Sequence, residues 1–144
     1  MKLFEKFSFN NIEVSNRVAM APMTRSRATN PEGKAEDIMA MYYAQRASTG
    51  LIITEGVFIN EMAIGYINVP RIETKEQTES WKPVAQKVHE NNGKIFMQIW
   101  HVGASSHPSL LGGKLPLSPS GVNPNIKVYT DEGFVDTVAP KAMT

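Results

Sequence analysis

The stretch that decides the fold is Arg17-Val18-Ala19-Met20-Ala21-Pro22-Met23-Thr24-Arg25. Its first five residues are nearly all apolar, and Pro22, which has no amide hydrogen to donate, ends the run. This pattern predicts a parallel strand that is covered on both faces. A doubly wound sheet would normally carry a glycine-rich phosphate loop after such a strand. Residues 21–25 contain no glycine, so the stretch favours a barrel over a doubly wound sheet.

A helix is predicted after this strand. The turn residues 29–33 lead to Ile38, Met41, Tyr42 and then residues 45–47 at helical spacing. Gly50 is expected to end the helix. The chain would then turn back toward the sheet, as a strand-helix-strand crossover requires.

Two more strands and a second helix complete the repeated pattern. Residues 51–54 form a β-branched run of the length of a buried strand. Thr74 and Gln77 have the spacing of a capping box, which predicts the start of the second helix. Pro83 should kink that helix or begin its second segment. Residues 94–99 are then the third strand.

The two ends of the chain are predicted to form hairpins. Residues 7–9 and 12–14 alternate apolar and polar side chains around an Asn-Asn turn. Residues 126–129 and 134–135 flank a turn and should form a hairpin over the long loop of residues 102–124. Loops of that length usually carry function.

The order of these elements indicates an α/β fold. About three β/α units plus an N-terminal hairpin correspond to the amino-terminal portion of a (β/α)8 TIM barrel, because a complete barrel needs about 250 residues. Residues 1–144 are therefore interpreted as one incomplete barrel domain. Open sheet edges would favour self-association or completion by another barrel fragment. Thr144 would make a good helix N-cap, yet no helix follows it in the sequence.

The composition of the chain narrows the classes of function. Its net charge is +1, with Lys and Arg scattered among Asp and Glu, so nothing in the sequence predicts a nucleic-acid partner. No apolar run is long enough for a membrane helix, and the first residues do not form a signal peptide. The absence of cysteine excludes disulfides and thiolate chemistry, and the expected compartment is the cytoplasm.

Five segments of the chain closely resemble Old Yellow Enzyme-type flavin oxidoreductases, and they occur in the order of that family. They are residues 16–28, 42–47, 53–56, 98–103 and 140–144. The resemblance runs from about Leu3 to the last residue. Thr24 and Trp100 are similar to the classical, N-ethylmaleimide reductase-like branch, since the other branch generally carries cysteine at the first of these positions.

The resemblance implies an FMN-binding protein. The cofactor-binding residues would be Ala21, Pro22, Met23, Thr24, Gly56 and Gln98. Thr24 would hydrogen-bond the flavin near O4 and tune its reduction potential, while Gln98 would hold the pyrimidine ring. Pro22 and Met23 would shape the bed of the ring. Trp100 would line the substrate side.

These residues also have a physical interpretation apart from the resemblance. Loops after parallel strands form one face of a barrel, and a planar flavin needs hydrogen-bond partners at its pyrimidine edge. Thr24 and Gln98 offer such partners, and Gly56 would allow close backbone approach near N5 and O4. The alternatives are structural. Thr24 as a turn or cap residue, Gln98 as a partner of loop backbone, Trp100 as core packing and Gly56 as a tight turn with positive φ remain open.

The remaining polar candidates are given smaller roles. Arg25 and Arg27 are secondary candidates for contacts with the cofactor or the loop. His89, His101 and His107 lack the spacing of metal ligands, so no metal site is predicted. His101 is expected to support the loop that follows it.

For the complete protein the resemblance implies an FMN-dependent NAD(P)H oxidoreductase that reduces activated alkenes by hydride transfer from flavin N5. Its partners would be NAD(P)H and a small activated alkene. The family's His-x-x-Asn or His-x-x-His pair, its proton-donating tyrosine and its FMN phosphate loops have no counterpart in residues 1–144, so no catalytic residue is assigned here. The alternatives are a truncated, inactive fragment, one piece of a barrel completed by another chain, or a different FMN barrel such as a dihydroorotate dehydrogenase relative.

Overall fold

The computed structural model describes residues 1–143, so the N-cap role expected of Thr144 lies outside the described residues. The strands are β1 (Phe7–Phe9), β2 (Ile12–Val14), β3 (Ala19–Met20), β4 (Leu51–Phe58), β5 (Ile95–Trp100), β6 (Leu117–Ser118), β7 (Lys127–Thr130), β8 (Gly133–Asp136) and β9 (Lys141–Ala142). The helices are α1 (Asp37–Ala44), α2 (Lys75–Ser80) and α3 (Lys82–Glu90), with short 3-10 turns at Lys2–Phe4, Glu61–Ala63 and Pro108–Leu110.

The central sheet contains β3, β4 and β5, which are parallel and adjacent in chain order. Neighbours in chain order are the arrangement of a (β/α)8 barrel and also of the first half of a doubly wound sheet. The α/β expectation is confirmed. The main core lies between this sheet and helices α1 and α3, and its fully buried members include Tyr43, Ile52, Val57, Val84 and Val88.

Strand β3 is shorter and less covered than the sequence predicts. The expected strand at residues 17–21 reduces to Ala19–Met20, with Met20 buried and Ala19 exposed. The prediction of cover on both faces is therefore wrong. Only one face of β3 meets the helices, and its opposite face is open because the sheet that contains it has three strands in residues 1–143 and is not a closed barrel.

Strand β4 is longer than predicted and contains a register shift. The β-branched run of residues 51–54 is only its first half, since the strand continues to Phe58. Ile53 pairs with Phe96 and Gly56 pairs with Gln98, so β4 has two residues where β5 has one. This extra residue is a β-bulge at Thr54 and Glu55. The interpretation of Gly56 as a tight turn after the strand is wrong, because Gly56 lies inside β4 and does not have positive φ.

Helix α1 presents a different face to the core from the one predicted. Ile38 and Met41 are more than half exposed, while Met39, Ala40 and Tyr43 are buried. The helix also ends at Ala44, before the predicted residues 45–47, which form a turn. Two faces of this helix carry apolar residues at helical spacing, so the sequence pattern alone is consistent with either face being buried. Only the fit against the sheet decides which of them is covered.

The second helical segment follows the prediction closely. Thr74 accepts a hydrogen bond from the Gln77 backbone amide at 3.2 Å, and the Gln77 carboxamide accepts from the Thr74 amide at 3.1 Å. This capping box starts α2. Pro83 lies in the first turn of α3, where its missing amide hydrogen removes no helical bond.

Both predicted hairpins are present. β1 pairs with β2 and β7 pairs with β8, each antiparallel. The long loop contains the 3-10 turn Pro108–Leu110 and β6, and β6 pairs with β9 in parallel. The base of the second hairpin is tied to the loop because the Thr137 hydroxyl donates to Asn123 Oδ1 at 2.8 Å. None of the helices in residues 1–143 is long and apolar enough to cross a membrane.

Candidate functional site

The β-bulge in β4 organises the carboxyl end of the central sheet. Its two residues, Thr54 and Glu55, are each only 1% exposed. Polar residues at such positions in a buried strand need partners, because an unpaired buried polar group is costly. Their partners belong to three neighbouring segments of chain, which are the β5 strand, helix α1 and the loop after β3.

Thr54 holds the backbone of β5 at Gln98. The Thr54 hydroxyl accepts a hydrogen bond from the Gln98 amide at 3.0 Å and donates to the Glu55 carbonyl at 2.8 Å. The bulge interrupts the normal strand ladder here. A side-chain oxygen therefore takes the place of a backbone acceptor.

Glu55 connects β4 to helix α1 and to the loop after β3. Its Oε1 accepts from the Tyr43 hydroxyl at 3.2 Å, and that hydroxyl in turn accepts from the Glu55 amide at 2.8 Å. Its Oε2 accepts a long hydrogen bond, 3.4 Å, from the Arg25 amide. Burial raises the pKa of the Glu55 carboxyl above its usual range. Burial also raises the pKa of Tyr43, with the neighbouring Glu55 charge adding to the shift.

The predicted cofactor-binding residues of the first loop are all accessible. Ala21, Pro22, Met23 and Thr24 follow the carboxyl end of β3 and are exposed. Thr24 directly precedes Arg25, whose amide meets Glu55. Gly56, the residue after Glu55, pairs with Gln98 in β5. The structure thus brings Thr24 and Gln98 to the same end of the sheet, through β4 between them.

The side chains of Thr24 and Gln98 have no partner within the chain. Throughout residues 1–143, neither the Thr24 hydroxyl nor the Gln98 carboxamide makes a hydrogen bond to another protein group. Gln98 is partly buried, and alternation along β5 places it on the face away from the helices, since Ile95 and Met97 pack toward the helical core. The side chains of Thr24 and Gln98 therefore lie at the carboxyl end of the sheet with free hydrogen-bonding groups. We call this end of the sheet, with these two residues, the rim.

Gly56 is required by the approach of Trp100. A Cβ atom added to Gly56 would overlap the Trp100 ring. The glycine therefore allows the indole to lie directly against the β4 backbone. This close approach gives Gly56 a reason for its lack of a side chain that is independent of any cofactor.

An aromatic cleft lies beside Trp100. It has a volume of about 380 Å³ and lies between the end of β5 and the β7–β8 hairpin, with Tyr66, Trp100, Tyr129 and Phe134 among its lining residues. The Tyr66 and Trp100 ring centroids are 5.5 Å apart. Sequence reasoning identified Trp100 but missed Tyr66, which lies in a segment with no regular periodicity.

His101 and the two arginines hold the surrounding loops. His101 Nδ1 accepts from the Gly103 amide at 3.0 Å, which agrees with the supporting role expected of His101. The Arg25 guanidinium lies over the Tyr42 ring at 4.2 Å from its centroid. Arg27 donates to the Arg25 carbonyl at 3.1 Å. Arg25 therefore contacts α1, whereas Arg27 makes its contacts within its own loop.

Thr54 and Glu55 are the functional candidates that sequence reasoning passed over. They lie in the family-like segment of residues 53–56, of which only Gly56 receives a role from the sequence. Two consecutive polar residues inside an otherwise apolar strand were the signal that could have identified them. The bulge itself could not be predicted, because it depends on the register with β5.

The free polar groups fit a planar heteroaromatic cofactor. Thr24 offers a hydroxyl that can donate or accept, and Gln98 offers an amide that can do both at once. A flavin pyrimidine edge presents alternating donors and acceptors that match these groups. Pro22 and Met23 add exposed apolar surface beside them. The described residues thus suit one edge of a flavin ring, and a site for its phosphate is not evident among them.

Comparison with known proteins gives one consistent result. The profile of the NADH:flavin oxidoreductase / NADH oxidase family, an FMN family, matches residues 2–143. The chain is 38% identical to flavin oxidoreductase hxnT of Emericella nidulans over 146 aligned positions, which cover 99% of this chain and 37% of that protein.

Solved structures agree with the sequence comparison. The fold is similar to the Old Yellow Enzyme homologue of Zymomonas mobilis, with a TM-score of 0.94, 36% identity, and coverage of 100% of this chain and 40% of that one. It is also similar to morphinone reductase in complex with tetrahydroNAD, with a TM-score of 0.91, 36% identity, and coverage of 100% and 41%. The chain therefore spans about two fifths of the length of these relatives and has the fold of the amino-terminal part of their barrel.

Proposed function

Because the chain belongs to the NADH:flavin oxidoreductase / NADH oxidase family, we propose that the protein containing it reduces activated alkenes with NAD(P)H as the electron donor. FMN is the cofactor of this family, and when bound it supplies reversible hydride transfer at N5. The three β/α units described here would provide one side of the cofactor site. The proposal therefore concerns a complete barrel.

The observation that carries the proposal is the pair of unpartnered polar groups at one end of the sheet. Thr24 would meet the flavin near O4, and Gln98 would hydrogen-bond its pyrimidine ring. Hydrogen bonds to these atoms stabilise negative charge on the reduced ring and so raise its reduction potential. Ala21, Pro22 and Met23 would form the surface on which the ring lies, and Gly56 would contribute by holding Trp100 close to β4.

The aromatic cleft supports an alkene as the second substrate. Trp100 and Tyr66 present flat apolar faces at the end of the same strands. A conjugated alkene is planar and apolar, so it would stack in such a cleft with its reactive carbon turned toward the cofactor. Morphinone reductase, which the chain resembles in structure, has been solved in complex with tetrahydroNAD, and this supports NAD(P)H as the electron donor. Polarisation of the substrate carbonyl and the final protonation would come from barrel units outside these three.

The test uses a completed barrel, in which this chain is joined to the remaining β/α units of a family member such as morphinone reductase. Thr24→Ala and Gln98→Ala should each weaken FMN binding about tenfold, the size expected for the loss of one hydrogen bond to the bound ring. Thr24→Ala should also lower the flavin reduction potential. Affinity is measured by quenching of flavin fluorescence, and the potential by dye equilibration.

Matched controls keep this test specific. Thr78→Ala and Gln86→Ala remove the same groups from exposed positions on α2 and α3, and neither should change the affinity or the potential. If Thr24→Ala and Gln98→Ala behave like these controls, the two residues do not contact the flavin and the proposed site is wrong.

A second candidate is a chain that is inactive alone and acts as one piece of a barrel completed by other segments. The exposed side chains of the edge strand favour it, because Phe96 is 45% exposed and Ile99 is 64% exposed. Apolar side chains on an open edge strand normally have a partner. The visible flavin spectrum of the purified chain, recorded with FMN before and after addition of the complementary fragment, distinguishes the two. A bound yellow chromophore in the chain alone would count against the second candidate.

A further inference from the structure

We propose that Thr54 and Glu55, the two residues of the β4 bulge, are positioning residues that set the places of Gln98 and Thr24 at the rim of the sheet. The contacts of the bulge are a property of this chain alone. Their consequence for cofactor binding rests on the proposed function. The two parts therefore have separate tests.

The first step concerns β5. At the bulge, the Gln98 amide points to the Thr54 hydroxyl and not to a backbone carbonyl of β4. The same hydroxyl donates to the Glu55 carbonyl at 2.8 Å, so its orientation is fixed. Because strand alternation is set by the backbone, fixing the Gln98 amide also fixes which face receives the Gln98 carboxamide.

The second step concerns the loop after β3. The Arg25 amide meets Glu55 Oε2, and Arg25 directly follows Thr24. The Arg25 guanidinium makes no salt bridge with this carboxylate and stacks on Tyr42, and its charge offsets only part of the effect of burial on the pKa of Glu55. A nearly inaccessible carboxylate without a bridging cation is costly to bury. Its contact with the backbone of the loop, together with Tyr43, accounts for its presence.

The third step concerns the Glu55 carboxylate, both of whose oxygens are needed as hydrogen-bond acceptors. The Tyr43 hydroxyl already accepts from the Glu55 amide, so its own hydrogen must go to Oε1. Oε2 is then left for the Arg25 amide. A glutamine has one oxygen and one NH2 group, and in either orientation it loses one of the two contacts. Glu55→Gln is therefore a change of similar volume that breaks the arrangement.

The amino end of the same sheet provides the control. There the Asn16 carboxamide accepts from the Val18 and Gly50 amides at 3.0 and 2.9 Å and donates to the Ser48 carbonyl at 2.8 Å. Like Glu55, it joins the β3 and β4 segments through backbone groups. Asn16→Ala should therefore reduce stability without disturbing the rim, and this separates a positioning role from a general structural one.

The first experiment measures amide hydrogen exchange by NMR in the 144-residue chain without flavin. Thr54→Val should accelerate exchange at Gln98 at least tenfold, and Thr54→Ser, which keeps the hydroxyl, should restore it. Glu55→Gln should accelerate exchange at Arg25. Asn16→Ala should accelerate exchange at the Val18 and Gly50 amides. The ratio of the exchange rates of the Arg25 and Gln98 amides should stay unchanged. Equal acceleration at all four amides in every variant would overturn the positioning role.

The second experiment measures FMN affinity in the completed barrel. Thr54→Val and Glu55→Gln should each weaken FMN binding about tenfold, whereas Asn16→Ala should not. The effect of Thr54→Val should disappear in the Gln98→Ala background, and that of Glu55→Gln in the Thr24→Ala background, because a positioning residue acts through the residue it places.

The outcomes separate this inference from the proposed function. If Thr24→Ala and Gln98→Ala do not change FMN affinity, the proposed cofactor site fails, and the amide exchange still decides whether the bulge positions the rim. If those two variants weaken binding while Glu55→Gln and Thr54→Val do not, the cofactor site stands and the bulge has no positioning role.

Discussion

The two ends of the central sheet use their polar groups in opposite ways. At the amino end, the Asn16 carboxamide makes three hydrogen bonds to backbone groups, and a Cβ atom on Gly50 would overlap the Asn16 carbonyl. At the carboxyl end, Thr24 and Gln98 keep free hydrogen-bonding groups, and Glu55 is buried without a bridging cation. The difference matches barrel enzymes, in which one face stabilises the fold and the other carries function.

The largest effect is expected for Gly50→Ala at the amino end. Its new methyl group would meet a backbone carbonyl that is held in place, since the Asn16 side chain bonds to the Gly50 amide. We expect a loss of about 3 kcal/mol in the free energy of unfolding, at the upper range for overpacking. Urea denaturation followed by circular dichroism measures this loss. An unchanged midpoint would show that the amino end is looser than the structure indicates.

A smaller loss is expected for Gly56→Ala at the carboxyl end. Here the added methyl group meets the Trp100 side chain and not the backbone, and the indole borders an open cleft into which it can turn. We expect a loss of about 1 kcal/mol together with a changed Trp100 emission spectrum. Adding Trp81→Phe to the wild type and to Gly56→Ala leaves Trp100 as the source of the tryptophan emission. Equal losses for the two glycine variants would contradict the comparison.

Local sequence patterns predict part of this structure, and contacts between distant segments determine the rest. The strand, helix and hairpin order follows from periodicity, turn residues and the capping box of Thr74 and Gln77, all of which are local. The length of β4 and the bulge at Thr54 and Glu55 depend on register with β5, which is not local. The choice of the buried face of α1 likewise depends on packing against the sheet. Residues matched by family resemblance could be named in advance, whereas the contacts that place them could not.

Two carboxylates that contact the β3–α1 connection, Glu55 in β4 and Glu36 at the start of α1, should respond to pH in opposite directions. Burial raises the pKa of Glu55, so its stabilising contribution is present below the ordinary value of 4.5 and is lost as the pH rises through the raised pKa. The hydrogen bond from the Asn30 side chain lowers the pKa of Glu36. Its contribution is therefore present above 4.5 and lost as the pH falls through the lowered pKa.

Urea unfolding of the wild-type chain, Glu55→Gln and Glu36→Gln on both sides of pH 4.5 tests this contrast. The stability of the wild type relative to Glu55→Gln should decline as the pH rises, while its stability relative to Glu36→Gln should decline as the pH falls. The Tyr43 hydroxyl faces Glu55, and burial raises the pKa of Tyr43 further above this window, so the first slope belongs to Glu55. Slopes of the same sign would contradict the assignment of burial as the dominant cause at Glu55.

The smallest effect on stability is expected for the residues to which we assign the most direct role. Thr24→Ala and Gln98→Ala remove groups that bond to nothing within residues 1–143, so each should change the free energy of unfolding by less than about 0.5 kcal/mol. Asn16→Ala breaks three hydrogen bonds to backbone groups and should cost about 2 kcal/mol. Thermal and urea unfolding of the three variants compare these values directly. A large loss for Thr24→Ala or Gln98→Ala would mean that the side chain already has a structural partner, and the rim would then have no free group to offer a flavin.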